Sequence, residues 1–313
     1  MDWLLYWPAR LLVALLQSLP LRFVARLGRA LAWPWWMVDS KHRGLALRNL
    51  RAAFPEKKDC EVKRIARETF LRIGENSLAA IKTASMNEPE LLAVCEVIGV
   101  DKLPHAGGEG SITNCVGAVG HFGNFELYAR VATPVTGWQA ATTYRGMNQP
   151  ALDSIVQQLR ARSGCLFFER RNQAAELKER LSKGGIFLGL LTDQHPNKGG
   201  VLAPFLGRDC ATTTAPAVFA LRYHAPLFTV ICYRVALGRW TIEVGEEIPL
   251  RENGEPRSME AIMTDVNRAF EAAIRRDPAN WFWVHDRWKK PRVKRASSAP
   301  ANGPGGAPEI PSA

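Results

Sequence analysis

The sequence predicts an α/β fold in which helices cover a mixed β-sheet. From about Glu96 to Trp288, short apolar or β-branched runs alternate with stretches whose apolar residues have helical spacing. The runs are SITNCVGAV, WQAATTY, CLFF, GIFLGLL, PLFTVICYRV and RWTIEV, and the clearest helical stretches contain Leu152, Ile155, Val156 and Leu159, then Ala261, Ile262, Val266, Phe270 and Ile274. Such alternation is typical of a sheet covered by helices. With 313 residues, of which 47% are hydrophobic, the chain can bury a large core.

Residues 1–40 are predicted to form membrane-associated helices. The longest run without charge, residues 11–21, is shorter than the roughly 20 apolar residues that a spanning helix needs. A secretory signal fits poorly because the positive charges follow the apolar stretch. We therefore expect a pair of helices at, or dipping into, the cytoplasmic face of a bilayer, with these rings at headgroup depth: Trp3, Tyr6, Trp7, Trp33, Trp35 and Trp36. A buried helical hairpin of the core is the alternative.

The rest of the chain divides into a large domain and a tail. Residues 41–290 form the α/β domain, whose first part, to about Ser85, has helical spacing; residues 291–313 are basic and then Pro/Gly-rich, and we expect them to be disordered. The net charge of +11 favours an anionic partner: nucleic acid, an acidic protein or membrane phosphates. Nucleic acid is disfavoured because no helix-turn-helix, RNA-recognition or zinc-finger signature is present. The six scattered cysteines form no metal-binding pattern and indicate free thiols.

The stretch VGHFGNFELY contains the main catalytic candidate. His121 follows the predicted strand SITNCVGAV, at the carboxyl end where ligands gather in such sheets. Glu126 could cooperate with it only across a non-helical turn, which Gly120 and Gly123 allow. With Asn124 capping the next helix, the glutamate would hydrogen-bond one ring nitrogen of the histidine and make the other a general base. The alternative is a structural histidine at the end of a strand.

Further polar clusters follow other strands. YRGMN places Tyr144 and Arg145 after a strand and precedes a helix that carries Arg160 and leads to Arg162. TDQ ends another apolar strand, PFLGRDCATTT combines a Pro-Phe turn with a threonine run, and WFWVHDRWK groups aromatic and basic residues. Together with HFGNFE, and in this order, these motifs resemble those of the bacterial lipid A biosynthesis acyltransferases, within the wider lysophospholipid acyltransferase fold. The resemblance covers the chain to about Lys290.

The resemblance implies transfer of an acyl chain from an acyl carrier protein or CoA thioester to a hydroxyl of a phosphorylated glycolipid, a lipid A precursor, at the cytoplasmic side of a bacterial inner membrane. It implies His121 as base and Glu126 as its partner, with Arg160 and Asp193 as further catalytic residues. Nearby polar residues are implied to bind substrate: Arg145, Asn148, Arg162 and Gln194. No metal or cofactor is implied.

Two alternatives remain open from the sequence. An acyltransferase for another glycolipid or a lysophospholipid would use the same chemistry on a different acceptor. A non-catalytic, basic membrane-binding protein would use only the positive surface. Loss of His121 separates these classes, because it would abolish acyl transfer but leave lipid binding almost unchanged.

Overall fold

A seven-stranded mixed sheet forms the centre of the molecule, seen in a computed structural model that describes residues 3–104, 114–196 and 199–289. The strands, in chain order, are β1 (Cys95–Ile98), β2 (Asn114–Val119), β3 (Gln139–Tyr144), β4 (Leu166–Glu169), β5 (Ile186–Leu191), β6 (Val201–Phe205), β7 (Arg208–Thr212), β8 (Leu227–Ala236), β9 (Arg239–Glu247), β10 (Arg251–Glu252) and β11 (Glu255–Pro256). The central order is β1-β9-β8-β2-β5-β3-β4, and β6-β7 and β10-β11 are small hairpins. Strands β8, β2, β5, β3 and β4 are parallel, whereas β9 and β1 run in the opposite direction. The predicted mixed sheet is confirmed.

Helices cover both faces of this sheet. They are α1 (Trp3–Ser18), α2 (Leu21–Val38), α3 (Ser40–Ala53), α4 (Asp59–Thr83), α5 (Glu88–Leu92), α6 (Tyr128–Thr136), α7 (Pro150–Ala161), α8 (Ala174–Lys183), α9 (Ala215–Arg222) and α10 (Met259–Arg276). Side chains of β2 alternate between the faces: Val116 and Ala118 belong to a core with α3, α4, α8, α9 and α10, whereas Cys115 and Val119 belong to a core with α5 and α6. Both faces are therefore apolar, which explains the continuous apolar runs.

The six predicted strand runs coincide with β2, β3, β4, β5, β8 and β9. Residues 111–113, at the start of SITNCVGAV, and the predicted tail of residues 291–313 lie outside the described residues. The prediction does not include β1 or the β6-β7 hairpin. The expected Pro-Phe turn is wrong, because Pro204 lies within β6. Among the described residues this strand pairs with β7 alone, so it tolerates proline on its unpaired side.

Helices α1 and α2 form the predicted N-terminal pair, and α2 packs along α4. A Cβ on Gly28 would overlap the carbonyl group of Gly74, so the two helix backbones are in direct contact. Next to this contact, Arg29 lies 3.2 Å from Glu75, whose fully buried carboxylate also binds Arg234 of β8 at 2.8 Å. A buried carboxylate is stable only when it is paired in this way. These contacts fasten the N-terminal pair to the sheet.

The opposite surface of the pair is apolar and exposed. The exposed large side chains are Trp3, Leu4, Trp7, Leu11, Leu12, Leu15, Phe23, Leu31, Trp33, Met37 and Val38. Two of the rings predicted at headgroup depth, Trp35 and Trp36, instead pack on Phe70, with ring centroids 4.4 and 5.1 Å away. Within the described ranges, no helix combines the length and the apolar character needed to cross a membrane. One face of the α1–α2 pair is therefore packed against the rest of the protein, as in the alternative of a buried hairpin. The other face is exposed.

Candidate active site

Two glycines shape the loop after β2. A Cβ on Gly120 would lie 2.6 Å from the ring of Phe122. Gly123 has a φ of +50°, and a Cβ there would lie 2.6 Å from the carbonyl oxygen of Cys232 on β8. A side chain at either position would push the loop off the sheet. The glycines therefore hold His121 at the carboxyl end of β2.

A 3₁₀ turn, Phe125–Leu127, links this loop to α6. Asn124 precedes the turn, but its side chain makes no capping hydrogen bond, so the predicted cap is wrong. The reason is the tight turn itself, in which the N–H of Leu127 donates to the backbone carbonyl of Asn124 at 3.0 Å. Glu126 consequently lies in the 3₁₀ turn and not in the first turn of α6.

His121 pairs with Asp193 and not with Glu126. Its Nδ1 lies 2.8 Å from Asp193 Oδ1, and its backbone N–H donates to Oδ2 at 2.9 Å. The sheet register explains the contact, because Val119 of β2 pairs with Leu191 of β5 and each polar residue follows two positions later. Neighbouring parallel strands thus bring the two side chains together at one edge. The predicted hydrogen bond between His121 and Glu126 is corrected accordingly.

Asp193 is an ionised carboxylate surrounded by N–H donors. It is 1% exposed and accepts hydrogen bonds from the backbone and ring of His121 and from Nε1 of Trp281, at 2.8 Å. Burial alone would raise the pKa of Asp193, but the neighbouring His121 and these hydrogen bonds outweigh it and lower the pKa. An ionised carboxylate only accepts, so Nδ1 of His121 carries a proton, and in the neutral ring Nε2 then has a free lone pair. Nε2 of Gln194 lies 3.4 Å from Nε2 of His121.

Glu126 binds Arg160 of α7. The arginine Nη2 is 2.6 Å from Oε1 of the glutamate, and its Nε is 3.3 Å from Oε2, which makes a two-point contact. The guanidinium group also lies 5.9 and 5.3 Å from the ring centroids of Tyr144 and Phe167. This ion pair connects the turn after the His121 loop with α7 and with the ends of β3 and β4.

Of the four residues predicted to bind substrate, two line the cavity that His121 also lines. Arg145 and Gln194 line the same cavity as the histidine. Asn148 lies in the exposed loop before α7, and Arg162 lies at the exposed carboxyl end of that helix. Neither of these two lines the cavity. The structure therefore brings together only part of the predicted set.

The sequence prediction does not include Arg170, which also lines the cavity. Its Nε donates to Oγ1 of Thr143 at 3.1 Å, and its backbone N–H donates to the carbonyl of Tyr144 at 3.0 Å. Arg170 follows β4 as Arg145 follows β3, and these strands are neighbours in the sheet. A cation directly after a strand was the signal that could have identified it.

His285 supports the segment that follows Asp193. Its Nε2 accepts the backbone N–H of His195 at 3.1 Å, and its carbonyl accepts a hydrogen bond from Asn49 of α3 at 3.0 Å. Burial lowers the pKa of His285, and the nearby charge of Asp193 opposes this only in part. The neutral ring is the form that can accept this N–H. The role was not predictable, because the two histidines are 90 positions apart.

A cavity of about 870 Å³ opens beside His121. Its buried wall is apolar and comes from the sheet and α6, with Val119, Phe187, Val230, Ile242, Val244, Val131 and Val135. The cavity also contains three arginines, Arg145, Arg160 and Arg170, and two glutamates, Glu126 and Glu169, so its charged part is basic overall. Small-molecule sites typically have volumes of about 300–1,000 Å³. The cavity can therefore hold an aliphatic chain whose polar end lies at the histidine.

A histidine that contacts a buried carboxylate, next to an apolar cavity, is an arrangement suited to an enzyme that transfers groups to or from lipid-like molecules. Residues 1–290 match the family model described as bacterial lipid A biosynthesis acyltransferase. The chain therefore belongs to this family and is an acyltransferase of lipid A biosynthesis. It is similar to the lipid A biosynthesis palmitoleoyltransferase of Escherichia coli (strain K12) and to the lipid A biosynthesis acyltransferase of Shigella flexneri. Each is 25% identical over 262 residues, which cover 82% of this chain and 82% of the relative.

Proposed function

We propose that the protein transfers a fatty acyl chain from the thioester of an acyl carrier protein or CoA to a hydroxyl group of a lipid A precursor. One observation carries this proposal: Nε2 of His121 borders an apolar cavity while Nδ1 is held by the ionised, buried Asp193. A hydroxyl group attacks a thioester readily only when a base removes its proton, and a neutral imidazole can do this near neutral pH.

In the proposed reaction, Nε2 of His121 accepts the proton of the acceptor hydroxyl as its oxygen attacks the thioester carbonyl. The C–S bond then breaks, and the leaving thiolate takes the proton from Nε2, which gives an ester and a free thiol and regenerates the neutral ring. Asp193 holds the ring and stabilises its transient positive charge. The Gln194 amide, 3.4 Å from Nε2, can donate to the carbonyl oxygen as negative charge develops there.

The basic part of the cavity suits a phosphorylated acceptor. Arg160 is neutralised by Glu126, so this pair acts chiefly by fixing the turn beside the base. Arg145 and Arg170 line the cavity and form no ion pair within the described part of the chain. Guanidinium groups bind phosphate oxygens through paired N–H donors. We propose that these two arginines hold the phosphate-bearing head of the acceptor.

The exposed face of α1 and α2 would bring the site to a lipid acceptor. Trp3, Trp7 and Leu11 are 58%, 60% and 72% exposed, and Arg22 and Arg26 are exposed on the next helix. Faces of this composition lie in the headgroup region of bilayers, with indole rings at the interface and arginines on phosphates. We propose a location at the cytoplasmic face of a bacterial inner membrane, where the soluble thioester donor also has access.

An acyl transfer assay with several acceptors tests this proposal. The purified protein in detergent is given acyl carrier protein and CoA thioesters with either a Kdo-lipid A precursor or lysophospholipids, and products are identified by mass spectrometry. We expect a mass gain of one acyl chain on the lipid A precursor, lost in His121→Asn. His224→Asn is the matched control, since His224 is exposed and has a left-handed backbone that asparagine tolerates.

If only another glycolipid or a lysophospholipid is acylated, the proposed chemistry is supported but the proposed acceptor is wrong. If the folded protein binds lipid but acylates none of these acceptors from either donor, the enzymatic proposal is rejected. Equal activity of His121→Asn and the wild type would reject the histidine as the base.

A further inference from the structure

A second, smaller cavity meets the first at His121. It has a volume of about 240 Å³ and lies between α4 and the loop after β2, next to the WFW segment. Its lining residues are Thr69, Arg72, Ile73, Asn76, Ser77, Ala80, His121, Gly123, Asn124, Phe125, Glu126, Ala279, Asn280, Trp281 and Phe282. Because His121 lines both cavities, a reacting group at its ring can be reached from two directions. A transfer reaction between two substrates can use such an arrangement.

The smaller cavity has little net charge. Its only basic residue within the described ranges, Arg72, is neutralised by Glu68 at 3.0 Å and Asp277 at 2.5 Å. Its acidic residue, Glu126, is paired with Arg160 at 2.6 Å. Apart from His121, the other polar side chains carry amides, hydroxyls or an indole N–H, with Asn76 and Ser77 from α4. This chemistry fits a ligand that carries amide and hydroxyl groups but no charge.

Asn124 indicates that the smaller cavity receives a polar ligand. Its side chain lines the cavity and is 2% exposed, yet its Nδ2 has no hydrogen-bond partner among the described residues. Buried amide groups nearly always have partners, because an unsatisfied donor costs about 1–3 kcal/mol. A ligand with carbonyl or hydroxyl oxygens in this cavity would supply the missing partner.

The two cavities differ in the chemistry that they offer. The larger one combines an apolar wall with Arg145 and Arg170, which suits hydrocarbon and phosphate. The smaller one offers neutral hydrogen-bonding groups. An acyl thioester of either donor carries hydrocarbon on one side of its carbonyl and, on the other, a pantetheine arm with amide groups and no charge near the sulfur. The acceptor carries phosphates.

We propose that the smaller cavity binds the pantetheine arm of the thioester donor, with its oxygens near Asn124, Asn76 and Ser77. The acyl chain then extends from His121 into the apolar part of the larger cavity, and the phosphorylated acceptor lies along the arginines of that cavity. This assignment rests on the proposed function and adds to it a separate path for each substrate. An acyl carrier protein and CoA would present the same arm to this cavity.

The variant Ser77→Trp tests this assignment. Ser77 is exposed on α4 and lines the smaller cavity but not the larger one, so a large side chain there can obstruct the cavity without disturbing the core. Arg64→Trp, at another exposed position of α4 that lines neither cavity, is the matched control, and Ser77→Ala shows the effect of losing the hydroxyl alone. Melting temperatures verify that all variants are folded.

Initial rates are measured with the donor varied at saturating acceptor, and then with the acceptor varied at saturating donor. We expect Ser77→Trp to raise the KM for the donor by about tenfold or more, because the bulky side chain removes one or more good contacts with the donor. The KM for the acceptor should stay nearly unchanged. An increase in the acceptor KM instead, or no change in either KM, would overturn the assignment.

Calorimetric binding of lauroyl-pantetheine separates this inference from the proposed function. If the wild type transfers no acyl group, the proposed function fails, but binding of this fragment still tests the cavity. Weaker binding to Ser77→Trp than to Arg64→Trp would support the assignment of the smaller cavity. Equal binding to the two variants would reject it.

Discussion

Replacing Asp193 by Asn tests whether His121 depends on its buried carboxylate. The amide keeps the shape of the carboxyl group but has a donor at one of the two positions. In the wild type, Oδ2 of Asp193 accepts hydrogen bonds from the backbone N–H of His121 at 2.9 Å and from Nε1 of Trp281 at 2.8 Å. In the variant, the amide oxygen therefore takes the position of Oδ2. The amide NH₂ then faces Nδ1 of His121, which must become an acceptor. The ring proton moves to Nε2, and the base loses its lone pair.

We expect Asp193→Asn to lower kcat by about 10⁴-fold, the loss that the same tautomer change causes in a serine protease triad. This corresponds to about 5.5 kcal/mol of transition-state stabilisation. Stability should fall much less, by about 1–3 kcal/mol, because the shape and the contacts at Oδ2 remain. Initial rates of acyl transfer are measured by mass spectrometry, together with the melting temperature. Asp209→Asn, at an exposed position of β7, is the control.

A folded Asp193→Asn variant whose kcat lies within about tenfold of the wild-type value would refute this reasoning. In that case the hydrogen bond at Nδ1 would not determine the state of the base.

Glu126→Gln removes the charge that Arg160 binds but leaves the hydrogen bonds of the catalytic ring intact, so we expect kcat/KM to fall by about 10- to 100-fold. A loss as large as that of the aspartate variant would instead support the glutamate as the partner of the base. Gly28→Ala forces a Cβ into the backbone of α4 and should lower the free energy of unfolding by about 1–3 kcal/mol, whereas Gly44→Ala, in open space on α3, should raise it by up to about 1 kcal/mol. Equal shifts in urea denaturation would contradict the packing of α2. Burial lowers the pKa of His285, so the folded state binds fewer protons than the unfolded chain, and stability should decrease as the pH falls below about 6.5. His285→Gln keeps an acceptor and should weaken this decrease; identical pH dependence of the two proteins would contradict the role of the neutral ring.

Burial on both faces made most of the sheet predictable from sequence. Strands β5 and β8 are nearly continuous apolar runs because helices cover both of their faces. Strand β1 lacks this signal, since CEVI is short, contains the exposed Glu96 and pairs only with β9 at the edge of the sheet. The order β2-β5-β3 was not predictable either, because pairing between strands distant in sequence depends on how the connecting helices pack.

At the site, the sequence identified residues more reliably than it identified their partners. His121 and Asp193 follow neighbouring strands, so both reach the same edge of the sheet, but they are 72 positions apart and only the β2-β5 register brings them together. Glu126 is close to the histidine in sequence, yet the 3₁₀ turn leaves it to bind Arg160. Nearness in sequence thus favoured a carboxylate that in the structure pairs with Arg160, whereas His121 contacts Asp193. The unpaired Nδ2 of Asn124 and the cavity beside it depend on tertiary packing and leave no pattern in the sequence.

The tautomer of His121 tests the central claim most directly. The ¹⁵N chemical shifts of the ring nitrogens can be measured in histidine-labelled protein at about pH 7, and the His121→Asn spectrum assigns the signals among the six histidines. We predict a proton on Nδ1, toward Asp193, and an unprotonated Nε2 toward the cavities. A proton on Nε2 with an unprotonated Nδ1 would contradict the account, because the nitrogen that faces the substrates could not then accept the hydroxyl proton.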